Sequence, residues 1–358
     1  MSNRLLRWLP AVVAPVAVAA AAVTVPLSAG AAADLPEKSP QQVLELVARS
    51  ASLPGFSGTV QQTSDLGLPQ LPAGLGSGDG GDGGGSADAS AANAVELLTG
   101  THTARVFESG KDERRVQVLD SMAERDVIRN GNDVWFWDAK HNTATHVAVP
   151  ARSTTGATTD VPTPADAARR ALAAIDDSTA VAVDGSGKVA GRDAYRLVLT
   201  PKSSGTTVGS VDIAVDGVTG LPLQVQVIAR GATSPAFSVG FTDIDLTAPD
   251  DSLFDFQPPS GATVHQQTLP QHRSASSAPR QGAKPAVTGT GWDAVVTVDA
   301  GASATAGIAS DPVLQQLTNP VDGGRVLSTT LVSVLVTNDG RVLAGAVPVS
   351  RLEAVAAG

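Results

Sequence analysis

The chain has 358 residues, 35 acidic against 25 basic, a net charge of -10 and no cysteine. That length exceeds the usual span of one domain, so a main domain, a smaller one and tails are expected. The basic residues are scattered rather than gathered into runs, which argues against a nucleic-acid partner, and without Cys no disulfide, thiolate nucleophile, lipobox or Cys metal site can form. Arg outnumbers Lys, and Ala and Gly are abundant, a usage of high-GC actinobacterial type.

Arg4 and Arg7 precede an apolar stretch from Trp8 to Val25, broken by Pro10 and Pro15, and "SAGAAAD" then offers Ala31-x-Ala33 before Asp34. Residues 1–33 are therefore predicted to be a cleaved export signal rather than an anchor, and no later segment is long and apolar enough to span a bilayer. Next, "SPQQVLELVARSA" reads as an amphipathic helix. Ser39 can cap it, Pro40 fits its first turn, and Val43, Leu44, Val47 and Ala51 share a face.

"FSGTVQQTS" begins a strand-rich region that is interrupted at 67–94 by "GLPQLPAGLGSGDGGDGGGSADASAANA", too rich in Gly and Ser to order a core. Its "GDGGDGGG" resembles one glycine-rich calcium repeat, but a single copy lacks the stacking such sites need, and a flexible loop is expected. Short strands follow: "HTARVFES", "RRVQVLD", "AERDVIR", an Asn130-Gly131 turn, "DVWFWD" and "TATHVAVP". Further on, Tyr195, Leu197 and Leu199 alternate with Arg196 and Val198. Val211, Ile213 and Val215 do the same, as do Leu221, Leu223, Val225 and Val227, which is the period of strands with one apolar face. A helix around residues 164–175, "PADAARRALAAI", interrupts them. The predicted fold class is α+β: a long antiparallel meander with a few helices on its apolar face.

Aromatic residues form only 3% of the chain, yet "GNDVWFWDAKHNTATHV" holds two of its four Trp and two of its five His. In an extended strand Trp135 and Trp137 point to one side and Val134 and Phe136 to the other. Either this is a two-sided core strand, or one set of rings lines a ligand cavity.

The run "HTARVFESGKDERRVQVLDSMAERDVIRNGNDVWFWDAKHNTATHVAVP" resembles the superfamily of the lipoprotein carriers LolA and LolB and the sigma-E regulatory protein RseB. So do "AVDGVTGLPLQVQVIARG", "FTDIDL" and "DSLFDFQPPSGATV", and the likeness covers roughly residues 39–265. The resemblance implies an unclosed antiparallel half-barrel at 34–265, with helices on a concave side that binds acyl chains. The expected site takes Trp135 and Trp137 from the aromatic strand. From the alternating strands it takes Tyr195, Leu197, Leu199, Val211, Ile213, Leu223, Val225, Val227 and Phe237. Residues 266–286 read as a linker and 287–358 as a small β-rich unit with a "TNDG" hairpin.

Catalytic patterns are weak. His141 and His146 lack the helical spacing of a zinc pair, Asp243 and Asp245 read as a solvated strand end, and no nucleophile elbow, Walker loop or dinucleotide fingerprint is present. The expectation is a non-enzymatic, exported carrier or receptor without a cofactor, partnered by a lipid or an acylated protein in transient contact with a membrane. One alternative is an envelope-stress regulator that binds a membrane anti-sigma factor; the other is a hydrolase. The sequence leaves the oligomeric state open.

Overall fold

The computed structural model describes residues 35–68, 100–119, 124–149, 162–268, 285–302, 305 and 312–358. The predicted export signal lies outside these residues, as do 69–94 of the Gly-rich loop and 269–284 of the predicted linker.

Helix α1 (Pro40–Ser50) starts where the cap signal places it. The Gln42 N–H donates to Ser39 Oγ (3.3 Å) and the Ser39 N–H to Gln42 Oε1 (2.8 Å), a reciprocal pair that satisfies two otherwise orphaned donors. Its buried stripe is Val43 and Leu46, with Leu44 and Val47 packed at the margin. Ala51 is exposed and Leu46 takes the place expected for it. Helix α2 (Pro164–Ala173) repeats the device with Thr163 and Asp166, and buries Ala167, Ala168 and Ala171.

Twelve strands form one open sheet. They are β1 (Gly55–Ser64), β2 (Gly100–Ser109), β3 (Glu113–Leu119), β4 (Glu124–Asn130), β5 (Asp133–Asp138), β6 (Thr143–Ala148), β7 (Thr179–Val189), β8 (Arg192–Pro201), β9 (Val208–Asp216), β10 (Pro222–Ala229), β11 (Pro235–Asp245) and β12 (Thr263–Thr268). Their order is β12-β6-β5-β4-β3-β2-β1-β11-β10-β9-β8-β7, so β12 and β7 are edges and the sheet does not close. This is the expected α+β half-barrel, with one departure: β12 runs parallel to β6. A parallel neighbour needs a long crossover, here the chain from the end of β11 to Thr263.

The main core lies on one face of this sheet. Leu197, Ile213, Val225 and Val239 sit in register across β8 to β11, and Val43, Leu46, Ala167 and Ala168 of the two helices pack with them. A separate six-stranded sheet follows, ordered β13 (Ala286–Thr288), β14 (Val295–Asp299), β18 (Arg341–Gly345), β17 (Ser333–Thr337), β16 (Gly324–Ser328), β15 (Asn319–Val321). The predicted hairpin joins β17 to β18, with Gly340 at φ +104°. The expectation of a β-rich unit misses two helices, α3 (Pro312–Leu317) and α4 (Val349–Ala357), of which α4 buries Leu352. This second unit docks firmly on the first. Leu331 and Val332 join the main core, the Thr330 N–H donates to the Leu66 carbonyl (2.9 Å), and the Trp292 indole N–H donates to Thr179 Oγ1 (2.8 Å).

Candidate functional site

Strands β3 to β6 present two chemically different faces, and the register separates them. Arg114 on β3 forks onto Asp166 of α2, one nitrogen lying 3.2 Å from Oδ1 and the other on Oδ2, while Val116 and Val118, two and four residues on, enter the main core. This is the face that the two helices cover farther along the sheet, over β7, β8, β10 and β11, and that α2 reaches at β3 through Arg114. Across it Arg114 pairs with Arg129, Arg129 with Val134 and Val134 with Val147, while Val116 pairs with Val127 and Val127 with Phe136. Val127, Val134, Phe136, Val147 and Val149 form an apolar cluster of their own, apart from the main core.

Charged groups border that cluster. Burial pushes the Glu108 carboxyl up from its ordinary value, against the pull of Arg114, and the Asp166 charge adds to the rise. Burial acts the same way on Asp166, but there it is outweighed. The hydrogen bonds and charge of Arg114, with help from Thr163 and Arg169, hold that carboxyl far below the usual range. Arg114 is therefore committed to Asp166, and Arg129 donates to the Gly131 carbonyl (3.0 Å) and faces Asp112 at 3.6 Å.

Trp135 and Trp137 occupy the opposite face. Trp135 stacks on His146 with ring centroids 4.4 Å apart, and Phe256 lies 5.5 Å from Trp135 and 6.0 Å from Trp137. Phe256 belongs to the crossover between β11 and β12, a strap whose Phe254 is buried. Arg115 donates to the strap's Leu253 carbonyl (3.4 Å), and Asn130 Nδ2 donates to Asp255 Oδ1 (3.1 Å). Beneath the strap Asp126 pairs with Arg115. Burial raises its pKa to about 6 in spite of that arginine, and Glu124 adds to the rise.

The eleven expected site residues thus divide. Tyr195, Leu197, Leu199, Val211, Ile213, Leu223, Val225, Val227 and Phe237 come together, all at 4% exposure or less, inside the main core. Tyr195 also donates its hydroxyl to the Pro36 carbonyl (2.8 Å). Trp135 and Trp137 are not brought to them, because strand alternation and the strap direct both rings to the far side of the sheet. Val127, Val134, Phe136 and Val147, outside the expected set, hold the opposite face of β4 to β6. Alternation defines two faces without saying which one meets the helices, and the usable signal was the pair Phe254 and Phe256, which covers the Trp side.

The histidines do not pair as metal ligands. His141 Nδ1 lies 2.8 Å from Asp138, whereas His146 bonds Asp133 (2.7 Å) and Gln266 (2.9 Å). Asp243 and Asp245 are exposed at the end of β11, where Asp245 accepts from the Thr247 N–H (2.8 Å). Among the described residues no group of three or more His, Asp or Glu is placed to hold a metal, and no helix is long and apolar enough to cross a membrane.

No curated protein matches the chain. Among solved structures, that of the Pseudomonas aeruginosa MucA/MucB complex is 16% identical, covering 88% of this chain and 96% of that one at a TM-score of 0.45. An uncharacterised conserved protein of Thermus thermophilus is 12% identical over 63% of this chain and 98% of its own, at a TM-score of 0.36. A LolA-superfamily protein of Nitrosomonas europaea is 12% identical over 62% and 99%, at 0.25. The family model described as the MucB/RseB N-terminal domain matches residues 92–271, half of the sequence, from just ahead of β2 through the strap and β12. The chain belongs to the MucB/RseB N-terminal domain family.

Proposed function

We propose that this protein is an exported, non-catalytic binding protein that holds the acyl chains of a lipid or a lipidated protein against the helix-covered face of β3 to β6. The observation that carries this reading is the second apolar cluster, Val127, Val134, Phe136, Val147 and Val149, set apart from a main core whose own side chains are already packed against one another. Acyl chain burial contributes ~0.8 kcal/mol per methylene, so affinity should rise with chain length and no single side chain should dominate. Family membership supports a binding role.

A regulator that acts on a membrane protein is the second reading. It is favoured by the C-terminal unit, whose Leu331 and Val332 complete the first unit's core and so tie the two together mechanically. The solved MucB structures include complexes with MucA, a precedent for a protein partner.

Titrating the protein with fatty acids of increasing length tests the first reading. Affinity should climb steadily along the series. Phe136→Asp, which puts a charge on the helix-covered face, should weaken it by tenfold or more, roughly the 1.4 kcal/mol or greater expected for a charge against hydrocarbon. Trp135→Phe, on the far face, should leave it unchanged. Flat affinity along the series, or a loss confined to Trp135→Phe, would reject the helix-covered face as the site.

A further inference from the structure

The outer face of β3 to β6, remote from the helices, is built differently from the rest of the sheet surface. Its centre is aromatic: Trp135, Trp137 and Phe256 are all partly exposed. Val264 on β12 lies in the same cross-strand row as Ala144 and Trp137, and is 44% exposed. The apolar strip therefore runs out to β12, the edge of the sheet.

The border of this strip is acidic. Glu124, Asp126 and Asp133 project from β4 and β5 on the Trp side, and Asp251 and Asp255 stand exposed on the strap. Two cations share this face: Arg115 of β3, spent on Asp126 and the Leu253 carbonyl, and the exposed Arg105 of β2, which stands three strands from Trp137 at the far end of the row. From β6 His146 faces Asp133 at 2.7 Å. An apolar strip inside a ring of carboxylates repels an anionic lipid surface and other acidic proteins, and attracts cationic chains that carry apolar side chains. As the edge strand among the described residues, β12 adds a row of backbone donors and acceptors suited to an extended segment.

We propose that this outer face and the β12 edge dock an extended, basic segment of a partner protein in which apolar residues and Lys or Arg take turns at every second position, so that both lie on one side of the segment. The apolar side chains would lie on Trp137, Phe256 and Val264, and the cations would meet Asp133, Glu124 and Asp255. The surface is distinct from the helix-covered face and does not depend on acyl binding there.

The test is calorimetric titration of the whole protein with a synthetic peptide whose every second residue is Val or Lys in turn, with Thr between them, with its counterpart in which Glu replaces Lys, and with vesicles of anionic phospholipid. The Lys peptide should bind, and binding should weaken about tenfold as salt is raised from 0.01 to 0.15 M, because the Debye length falls from about 30 to about 8 Å. It should weaken about tenfold again in the triple variant Glu124→Gln, Asp133→Asn, Asp255→Asn, which removes rim charge at solvent-facing positions. Val264→Lys, an exposed change, should also abolish it. Equal binding of both peptides, binding indifferent to these variants, no peptide binding, or vesicle binding in place of peptide binding would each overturn the proposal.

Discussion

A single carboxyl illustrates how much one residue can report about its face. Asp126 is 1% exposed at its side chain and has one oxygen without a hydrogen-bond partner, so burial raises its pKa to about 6 even with Arg115 against it. The folded chain therefore binds a proton there more tightly than the unfolded chain, whose Asp titrates near 3.9. Linkage then gives the sign: this group's contribution is fully present below the unfolded pKa and is lost as the pH rises through about 6. Its size is on the order of 1 to 3 kcal/mol. Asp126→Asn cannot titrate, so the stability difference between variant and wild type should shift in the variant's favour as the pH goes from 4 to 7. Denaturant melts at closely spaced pH values measure this, and a difference that stays flat across that window would mean that Asp126 is ionised throughout.

At the level of elements, α2 depends on Asp166 more than on any other residue of its own. That carboxylate accepts from the Thr163 N–H (3.3 Å) to complete the capping box, and it also receives Arg114 from β3 and Arg169 from the next turn. Asp166→Ala should cost about 2 to 4 kcal/mol, combining a lost cap with a broken and mostly buried ion pair. Hydrogen exchange should show α2 losing protection while α1, with its separate Ser39 cap, keeps it; equal loss in both helices would refute a local role. The Ser39 cap was legible in "SPQQ" because capping is decided within four residues, and the Thr163 cap of α2, which only the structure brought out, has the same local signal in "TPAD". The strands were legible for the same reason, since alternation is local. Three features were not read. The inward set of β5 is fixed by a strap more than a hundred residues away, the parallel seat of β12 on β6 is a tertiary choice with no local signature, and α4 was hidden by a β-rich expectation. Helix α4 had a signal of its own, with Val349, Leu352, Val355 and Ala356 at helical spacing behind Pro348.

For the whole molecule, the decisive contact is between the two sheets. Leu331 is fully buried in the core of the first unit although it belongs to the second, and it sits beside Val332. Hydrogen bonds flank it: the Thr207 hydroxyl donates to the Leu331 carbonyl (2.5 Å) and the Thr207 N–H to the Ala346 carbonyl (2.9 Å). A linker read from composition suggests two modules that could be cut apart, but a core shared between them predicts one cooperative unit. Removing residues 287–358 should therefore uncover apolar surface and lower the stability of what remains. Leu331→Ala is the gentler test, because it deletes buried methyl groups without adding charge, and should cost about 2 to 5 kcal/mol. In an otherwise wild-type protein carrying Trp135→Phe and Trp137→Phe, so that the indole at the junction, Trp292, reports for residues 34–358, its fluorescence and far-ultraviolet circular dichroism should follow one unfolding transition. In Leu331→Ala on that background the Trp292 signal should move first, as the second unit loosens from the first. Two separate transitions already present in the wild type, or a Leu331→Ala variant that melts like it, would show that the sheets are stabilised independently and that the shared core carries no coupling between them.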